Sequence, residues 1–222
     1  MYESAYFDQK AIDYTRFLLH YLGANQGDPI KLMQSLSPRL MADVRLAPDR
    51  AKFLPKTTWP HKSIVFYCGP AGEEWGPDTL DKGMGGSEEA IVYLSRELAK
   101  LGWQVTVFND REEEYIDPYG PKVGDEAAYI TYKPWTLLNP GDTFDVFVAW
   151  RAPENLRNIK ARKRVVDLHD TIQPERVYAL DDDVTVMVKS QYHRSLYPDM
   201  PDERIRVVGN GINKEDFHEA TT

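Results

Sequence analysis

The chain has 222 residues, of which 42% are hydrophobic and 28% are charged, and it carries a formal net charge of -8. This composition is typical of a soluble globular protein with one buried core and an appendage, or with two small domains. The negative charge argues against a general surface for nucleic acid or anionic membranes, because such a surface needs clustered cations.

Residues 1–58 form a predicted N-terminal helical extension. Apolar residues recur at three-to-four spacing before Gly23, which predicts an amphipathic helix with a glycine C-terminus; they are Phe7, Ala11, Tyr14, Leu18 and Leu22. Asp28-Pro29 and Ser37-Pro38 each put a capping side chain before a proline, so two short helices should follow. Residues 55–60 are the predicted linker. We interpret the extension as a packing arm or as the end of an upstream module.

Residues 59–222 alternate short apolar runs with helical or looped segments, which is typical of an α/β fold. The clearest helix follows Gly86 and ends at Gly102, with its apolar residues on one face. The runs that predict strands are 63–67, 104–109, 129–132, 145–149, 164–168, 184–188 and 206–208. We therefore expect a Rossmann-like domain in which helices flank a mostly parallel sheet of about seven strands.

Ligands of such folds bind at the carboxyl ends of the parallel strands. In this sequence, glycines, an imidazole, carboxylates and cations follow the predicted strands. We expect them to meet at one edge of the sheet; they are Gly69-Pro70, Gly85-Gly86, Asn109-Asp110, Trp150-Arg151, His169-Asp170, Lys189-Ser190 and Asn210-Gly211.

Gly85-Gly86-Ser87-Glu88 opens the helix after the first strand. Bare backbone N–H groups and the positive end of the helix are suited to anionic groups such as phosphates. The alternative is a tight helix start, in which Gly86 or Ser87 caps the helix and Glu88 or Glu89 favours its dipole. Because a cap does not need two adjacent glycines, we favour close approach of a ligand.

A nicotinamide dehydrogenase is the alternative enzyme class. Gly83-Met84-Gly85 begins the pattern G-x-G-x-x-G, and Asp110 stands where a ribose-binding acid is expected. However, Glu88 occupies the position of the third glycine, where its side chain would hinder helix packing and repel a pyrophosphate. Residues 69–82 also separate the first strand from Gly83, whereas a dinucleotide-binding turn is short.

His169-Asp170 follows the strand 164–168. A histidine there can donate to a hydroxyl group and Asp170 could orient it; the alternative is a buried, satisfied histidine. Asp181-Asp182-Asp183 suggests a metal site, but it precedes its strand, so we expect a solvated turn. The other histidines lack ligand-like spacing, and we predict no metal site and no cofactor. Cys68 lies inside the first strand, where a small buried hydrophobe is expected.

A cluster of five cations before residue 165 is predicted to be a solvated edge, with contact to a membrane surface as the alternative; it contains Arg157, Lys160, Arg162, Lys163 and Arg164. No run approaches the roughly 18 apolar residues of a membrane span, and the first residues resemble neither a signal nor a transit peptide. We therefore expect a cytoplasmic protein.

Four segments form a set that resembles a known family. They are GGSE at 85–88, VVDLHD at 165–170, VMVKSQYHRSLYP at 186–198 and RIRVVGNGINKEDF at 204–217. In this order, over residues 62–217, they look like the N-terminal half of a GT-B glycosyltransferase, close to glycosyltransferase family 4. The resemblance implies two Rossmann-like domains facing across a cleft. The first binds mainly the acceptor, and the second binds mainly the nucleotide-sugar.

The resemblance also implies roles for individual residues. Gly85, Gly86 and Ser87 would lie at the cleft, near the donor phosphates and the reacting sugar. His169 would hydrogen-bond the transferred sugar, with Asp170 beside it.

The resemblance also implies that Lys189 and Ser190 line the rim of the cleft and that Asn210-Gly211 opens the linker between the domains. The reaction would transfer a hexose, with retention of configuration, to a glycan or small-molecule acceptor. It would need no obligatory metal.

The family's second, donor-binding domain would follow this segment. We expect weak or no transfer by the chain alone, because a site made from two halves loses its preorganisation when one is missing. The non-enzymatic alternative is a sugar-binding or docking module that uses the helical extension as its interface.

Overall fold

The computed structural model describes residues 9–37, 40–41, 43–70, 72–118, 122–123, 126–127 and 130–211. The strands in these ranges are β1 (Ser63–Tyr67), β2 (Gln104–Asn109), β3 (Tyr115–Ile116), β4 (Lys122–Val123), β5 (Glu126–Ala127), β6 (Ile130–Pro134), β7 (Thr143–Trp150), β8 (Lys160–Asp167), β9 (Val184–Val188) and β10 (Ile205–Val207). Eight of them form one sheet in the order β10-β9-β8-β7-β1-β2-β6-β3. Every neighbouring pair in it is parallel except β3 with β6, and β4 pairs separately with β5.

Helices precede the sheet and connect its strands. The α-helices with defined bounds are α1 (Gln9–Ala24), α2 (Pro29–Ser35), α3 (Ala47–Phe53), α4 (Gly86–Lys100), α5 (Pro174–Tyr178) and α6 (Gln191–Ser195). Short 3₁₀ helices lie at Val44–Leu46, Pro77–Lys82, Trp135–Leu137 and Pro153–Leu156. The predicted fold class is thereby confirmed: an α/β, Rossmann-like arrangement with helices before and around a mostly parallel sheet.

The two faces of the sheet are buried against separate layers. On one face, α4 places Ile91 and Val92 against Phe66 and Val107. On the other face, helix α5 contributes Val177 to a buried cluster that is made largely of strand residues. Because both faces are covered, β7 is buried at all but its first position and its sequence is a nearly continuous apolar run.

The helical extension is held together by one buried carboxylate and one buried guanidinium. Asp49, 2% exposed, accepts from Arg16 Nε at 3.0 Å and contacts His20 Nε2 at 2.8 Å. Arg50 donates to the backbone carbonyls of Met41, Asp43 and Thr136. Since Thr136 follows β6, Arg50 connects the extension to the sheet domain.

The predicted helix starts in the extension agree with its capping contacts. Asp28 accepts from the N–H of Lys31 at 3.0 Å and starts α2. Ser37 Oγ accepts from the N–H of Leu40 at 3.3 Å, and residues 40–41 are helical. Phe7 and Pro38, which entered those predictions, lie outside the described residues.

Residues 57–59 of the predicted linker run beside the start of β7. Asp142 accepts from the N–H of Thr57 at 2.9 Å and from Trp59 Nε1 at 3.0 Å. Backbone hydrogen bonds also join Thr57 and Trp59 to Thr143. The chain is therefore fixed where it enters the sheet. No helix in the described ranges has the length and apolarity needed to cross a membrane.

Candidate functional site

The side chains at the carboxyl ends of the strands form a connected group, which we call the carboxyl rim; it comprises residues 85–88, 150–151, 167–170 and 189–190. Arg151 joins its parts. Its guanidinium contacts Asp170 at 2.6 and 3.1 Å and lies 3.5 Å from Glu88. It also lies 4.7 Å from the centre of the Trp150 ring. The start of α4 and the segment after β8 are therefore linked through a single side chain.

Arg151 reaches both carboxylates from an unusual backbone conformation. Its φ of 66° is in the left-handed region, which non-glycine residues occupy at a cost. The hydrogen bond from its N–H to the carbonyl of Asp167, 2.8 Å, fixes the turn after β7. Its charge lowers the pKa of Asp170, mainly through their hydrogen bond.

Gly85 and Gly86 form the start of α4. Gly85 is the N-cap, with φ of -63°, so its backbone conformation does not require glycine. A methyl group on Gly85 would collide with the Glu88 carboxylate, which folds back over the helix start and accepts from Ser87 Oγ at 2.8 Å. A methyl group on Gly86 would meet none of the described atoms within 4 Å. The bare backbone at Gly86 is thus left open.

His169 contacts a different carboxylate from the one predicted. Its Nε2 lies 3.2 Å from Oδ2 of Asp167, while Asp170 is occupied by Arg151. Asp167 is 2% exposed, and its Oδ1 lies 2.5 Å from Lys189 Nζ. Burial opposes ionisation, but the His169 hydrogen bond and the Lys189 charge outweigh it and lower the pKa of Asp167. The expectation that Asp170 orients the imidazole is therefore corrected: Asp167 does so.

Cys68 lies beneath this group and is a buried free thiol. Burial raises its pKa well above the ordinary value, and the nearby charges of Asp167 and Glu88 add to the effect. The prediction of a small buried hydrophobe is in accord with this environment. The thiol stays protonated and is a poor nucleophile.

Ser190, Asn210 and Gly211 lie on the β9 and β10 side of the carboxyl rim. Ser190 caps α6 by accepting from the N–H of His193 at 3.0 Å, so this hydroxyl has a structural role. Gly209 approaches the carbonyl of Lys189, and Asn210 and Gly211 are exposed beyond it. Ile212 and Phe217, which carry part of the family resemblance, lie outside the described residues.

A cavity of about 400 Å³ adjoins the start of α4. Three carboxylates, a lysine and an indole line it, together with Gly83 and Gly85; they belong to Glu73, Glu74, Glu88, Lys82 and Trp75. This lining suits a ligand that offers several hydroxyl donors, because carboxylates accept hydrogen bonds.

Comparison with family models, curated proteins and solved structures finds no match.

The geometry of the β1–α4 connection does not fit a dinucleotide-binding turn. The 3₁₀ helix Pro77–Lys82 lies between β1 and α4, and Gly83 caps its end with φ of 81°. Asp110 accepts from the N–H of Gly72 at 2.8 Å. The Glu88 carboxylate lies over the helix start, where a pyrophosphate would have to bind.

The remaining charged clusters form ion pairs away from the carboxyl rim. Asp181 and Asp183 bind Arg164, and Asp182 binds Arg204. Within the described ranges, no group of three His, Cys, Asp or Glu side chains could hold a metal ion. Three cations of the predicted basic edge, Lys160, Arg162 and Lys163, are exposed on the first half of β8, where Arg162 contacts Asp145. The Arg164 side chain is 15% exposed.

Two residues that make key contacts in the carboxyl rim, Arg151 and Asp167, had no role in the predicted site. Arg151 was noted after its strand but given no role, and Asp167 was assigned to the interior of a strand. A signal for Asp167 existed in the spacing, since side chains two residues apart in extended chain point to the same side. Asp167 and His169 have that spacing. No local pattern predicts the contact of Arg151 with Glu88, because the two come from separate parts of the chain.

Proposed function

We propose that the carboxyl rim is one wall of a site for hexosyl transfer from a nucleotide-sugar, and that this chain is the acceptor-side half of a GT-B-type glycosyltransferase. The observation that carries the proposal is the path Glu88–Arg151–Asp170. It joins the open backbone of Gly86 to the segment that bears His169. The resemblance of the four sequence segments supports the same reading.

The charges of the carboxyl rim favour a sugar as the group that it binds. The carboxyl rim contains three carboxylates, and a carboxylate oxygen can accept a hydrogen bond from a sugar hydroxyl. They belong to Glu88, Asp167 and Asp170. Arg151 and Lys189 are already paired with carboxylates. The charge of the leaving diphosphate would therefore be held mainly by the second domain.

Each group has a positioning role in this scheme. The open backbone at Gly86 lets the ligand approach the positive end of α4. His169 hydrogen-bonds a sugar hydroxyl, and the cavity beside Gly85 receives part of the acceptor. The reaction is the displacement of a nucleoside diphosphate by an acceptor hydroxyl, whose proton leaves with the departing group or a base of the complete site.

Calorimetric titration of the chain with nucleotide-sugars, free glycans and NAD tests the proposal. We expect binding of a nucleotide-sugar or a glycan, and we expect His169→Ala to weaken it about tenfold, the effect of one good hydrogen bond. His61→Ala, exposed at the opposite edge of the sheet, is the matched control and should leave binding unchanged. Tighter binding of NAD than of any sugar ligand would contradict the proposal.

A further inference from the structure

Lys189, Asp167 and His169 form a buried charge network within the carboxyl rim. One carboxylate lies between two groups that can each carry a positive charge. Lys189 Nζ is 2.5 Å from Oδ1 and His169 Nε2 is 3.2 Å from Oδ2. The side chains of Lys189, His169 and Asp167 are 18%, 5% and 2% exposed. Solvent therefore screens these interactions little.

The network needs only one positive charge to balance the carboxylate. Lys189 supplies it at the shorter distance, and its ammonium is the intrinsically more basic group. The imidazole can then stay uncharged and still hydrogen-bond Asp167. Without Lys189, the ring would be the one close side-chain partner of the carboxylate among the described residues, and a buried carboxylate favours a charged partner.

The same contact selects the tautomer of His169. An ionised carboxylate only accepts hydrogen bonds, so Nε2 must carry the proton that it donates to Oδ2. The neutral ring then has its lone pair on Nδ1. Nδ1 makes no hydrogen bond with the described residues. The neutral ring therefore presents an acceptor, whereas the sequence alone suggested a donor.

The other groups packed around His169 do not replace Lys189. Trp150 packs its ring at 5.6 Å and is uncharged. The carboxylate of Asp170 is bound by Arg151. His193 lies next to Lys189. Its pKa is lowered, mainly by burial and then by the charge of Lys189, so His193 adds no positive charge at neutral pH. Glu88 is bound through Arg151.

We propose that Lys189 is a positioning residue: by neutralising Asp167, it keeps His169 as an uncharged ring that donates from Nε2 to Asp167 and accepts a ligand hydroxyl at Nδ1. The identity of that ligand as a sugar rests on the proposed function. The charge state and tautomer of the ring do not, and they can be measured on the chain alone.

Nuclear magnetic resonance of the ¹⁵N-labelled chain tests the network. At alkaline pH, His169 should show a protonated Nε2 and a bare Nδ1. In Lys189→Met, the ring should hold its second proton more readily than in the unaltered chain, because the carboxylate has lost its other cation. Lys189→Arg should restore the behaviour of the unaltered chain, and Lys163→Met, exposed on β8, should leave it unchanged. A bare Nε2, or an unmoved titration in Lys189→Met, would overturn the proposal.

Sugar titrations then test the role of Nδ1 as an acceptor. Lys189→Met should weaken binding of a nucleotide-sugar near neutral pH and recover at higher pH, where its ring is again neutral; a purely structural loss would not recover. If Lys189→Met bound the nucleotide-sugar with equal affinity at both pH values, the acceptor role of Nδ1 would be overturned. If the unaltered chain binds no sugar ligand, the proposed function fails, and the ring measurements alone decide the role of Lys189.

Discussion

The carboxylates at the two ends of the strands have different partners. At the amino ends, each buried carboxylate accepts from a backbone N–H group: Asp142 from Thr57, in addition to the Trp59 indole, and Asp145 from Lys62 at 2.8 Å, in addition to the exposed Arg162. At the carboxyl ends, Asp167, Asp170 and Glu88 contact side-chain cations and an imidazole.

This difference distinguishes carboxylates that fix the path of the chain from carboxylates that could bind a ligand. A carboxylate that accepts from backbone N–H groups fixes the path of the chain, and its loss leaves buried donors unpaired. A carboxylate that pairs with a side chain can exchange that partner for a ligand by a change of rotamer. We therefore expect substitutions at the amino ends to change stability, and substitutions at the carboxyl rim to change binding.

The largest effect is expected for Asp142→Ala. Removing this carboxylate leaves the N–H of Thr57 and the indole N–H of Trp59 without their acceptor, which should cost about 2–3 kcal/mol of unfolding free energy. Urea denaturation measures the loss. Asp182→Ala removes a fully exposed carboxylate and should change stability by less than about 0.5 kcal/mol. If Asp142→Ala lost as little stability as Asp182→Ala, the structural role of Asp142 would be contradicted.

Arg151→Met should change ligand binding much more than stability. Its guanidinium is 36% exposed, so loss of its ion pairs should cost less than about 1 kcal/mol of stability. Without it, Glu88 and Asp170 are no longer neutralised, and the segments that they belong to are no longer linked. We expect binding of a sugar ligand to weaken about tenfold or more. An unchanged affinity, measured by calorimetry, would separate Arg151 from the site.

Gly86→Ala sharpens the comparison within one residue. The added methyl group meets open space in a helical position, so the unfolding free energy should stay equal or rise by about 0.5 kcal/mol. Ligand affinity should fall, since the methyl group occupies the space above the helix start. Thermal denaturation and titration of the same variant measure both. If affinity is kept, the glycine is not a point of ligand approach.

Much of the fold could be predicted because its central strands have their own sequence signal. The bounds of β1, β2 and β9 agree with the predicted runs, since parallel strands buried on both faces are short and rich in apolar residues. The start of α4 at Gly86 was also predicted.

The first half of β8 was not predicted. Its residues are cationic and mostly exposed, and they belong to the strand because Lys160 and Ala161 pair with β7. β3 was missed as well, since two residues at the edge of the sheet are too short for a periodic pattern. In both cases a partner distant in sequence decides the structure.

The candidate site was predicted in its location and only partly in its contacts. The topology of a parallel sheet is sufficient to bring Gly86 and His169 to the same edge. Which carboxylate faces the imidazole depends on side-chain direction at the end of β8, and Asp170 was the wrong choice.

The smallest effect is expected for Arg162→Met, through acid denaturation. The hydrogen bond from Arg162 is the main cause that lowers the pKa of Asp145 below its ordinary value of 3.8. A carboxylate with a lowered pKa in the folded chain stabilises it above the unfolded pKa, and that stabilisation is lost as pH falls through the folded value. The stability difference between the unaltered chain and Arg162→Met should therefore be present at pH 6 and shrink below about pH 4.

Urea denaturation across this pH range measures that difference, with Lys163→Met as the control for loss of a cation on the same strand. The whole curve will fall in acid, because Asp167, Asp170 and Asp183 also have lowered pKa values. Only the difference between the two chains isolates the Arg162 contact. A difference that stays constant down to acid pH would mean that Arg162 stabilises β8 by packing, and that Asp145 depends on the N–H of Lys62 alone.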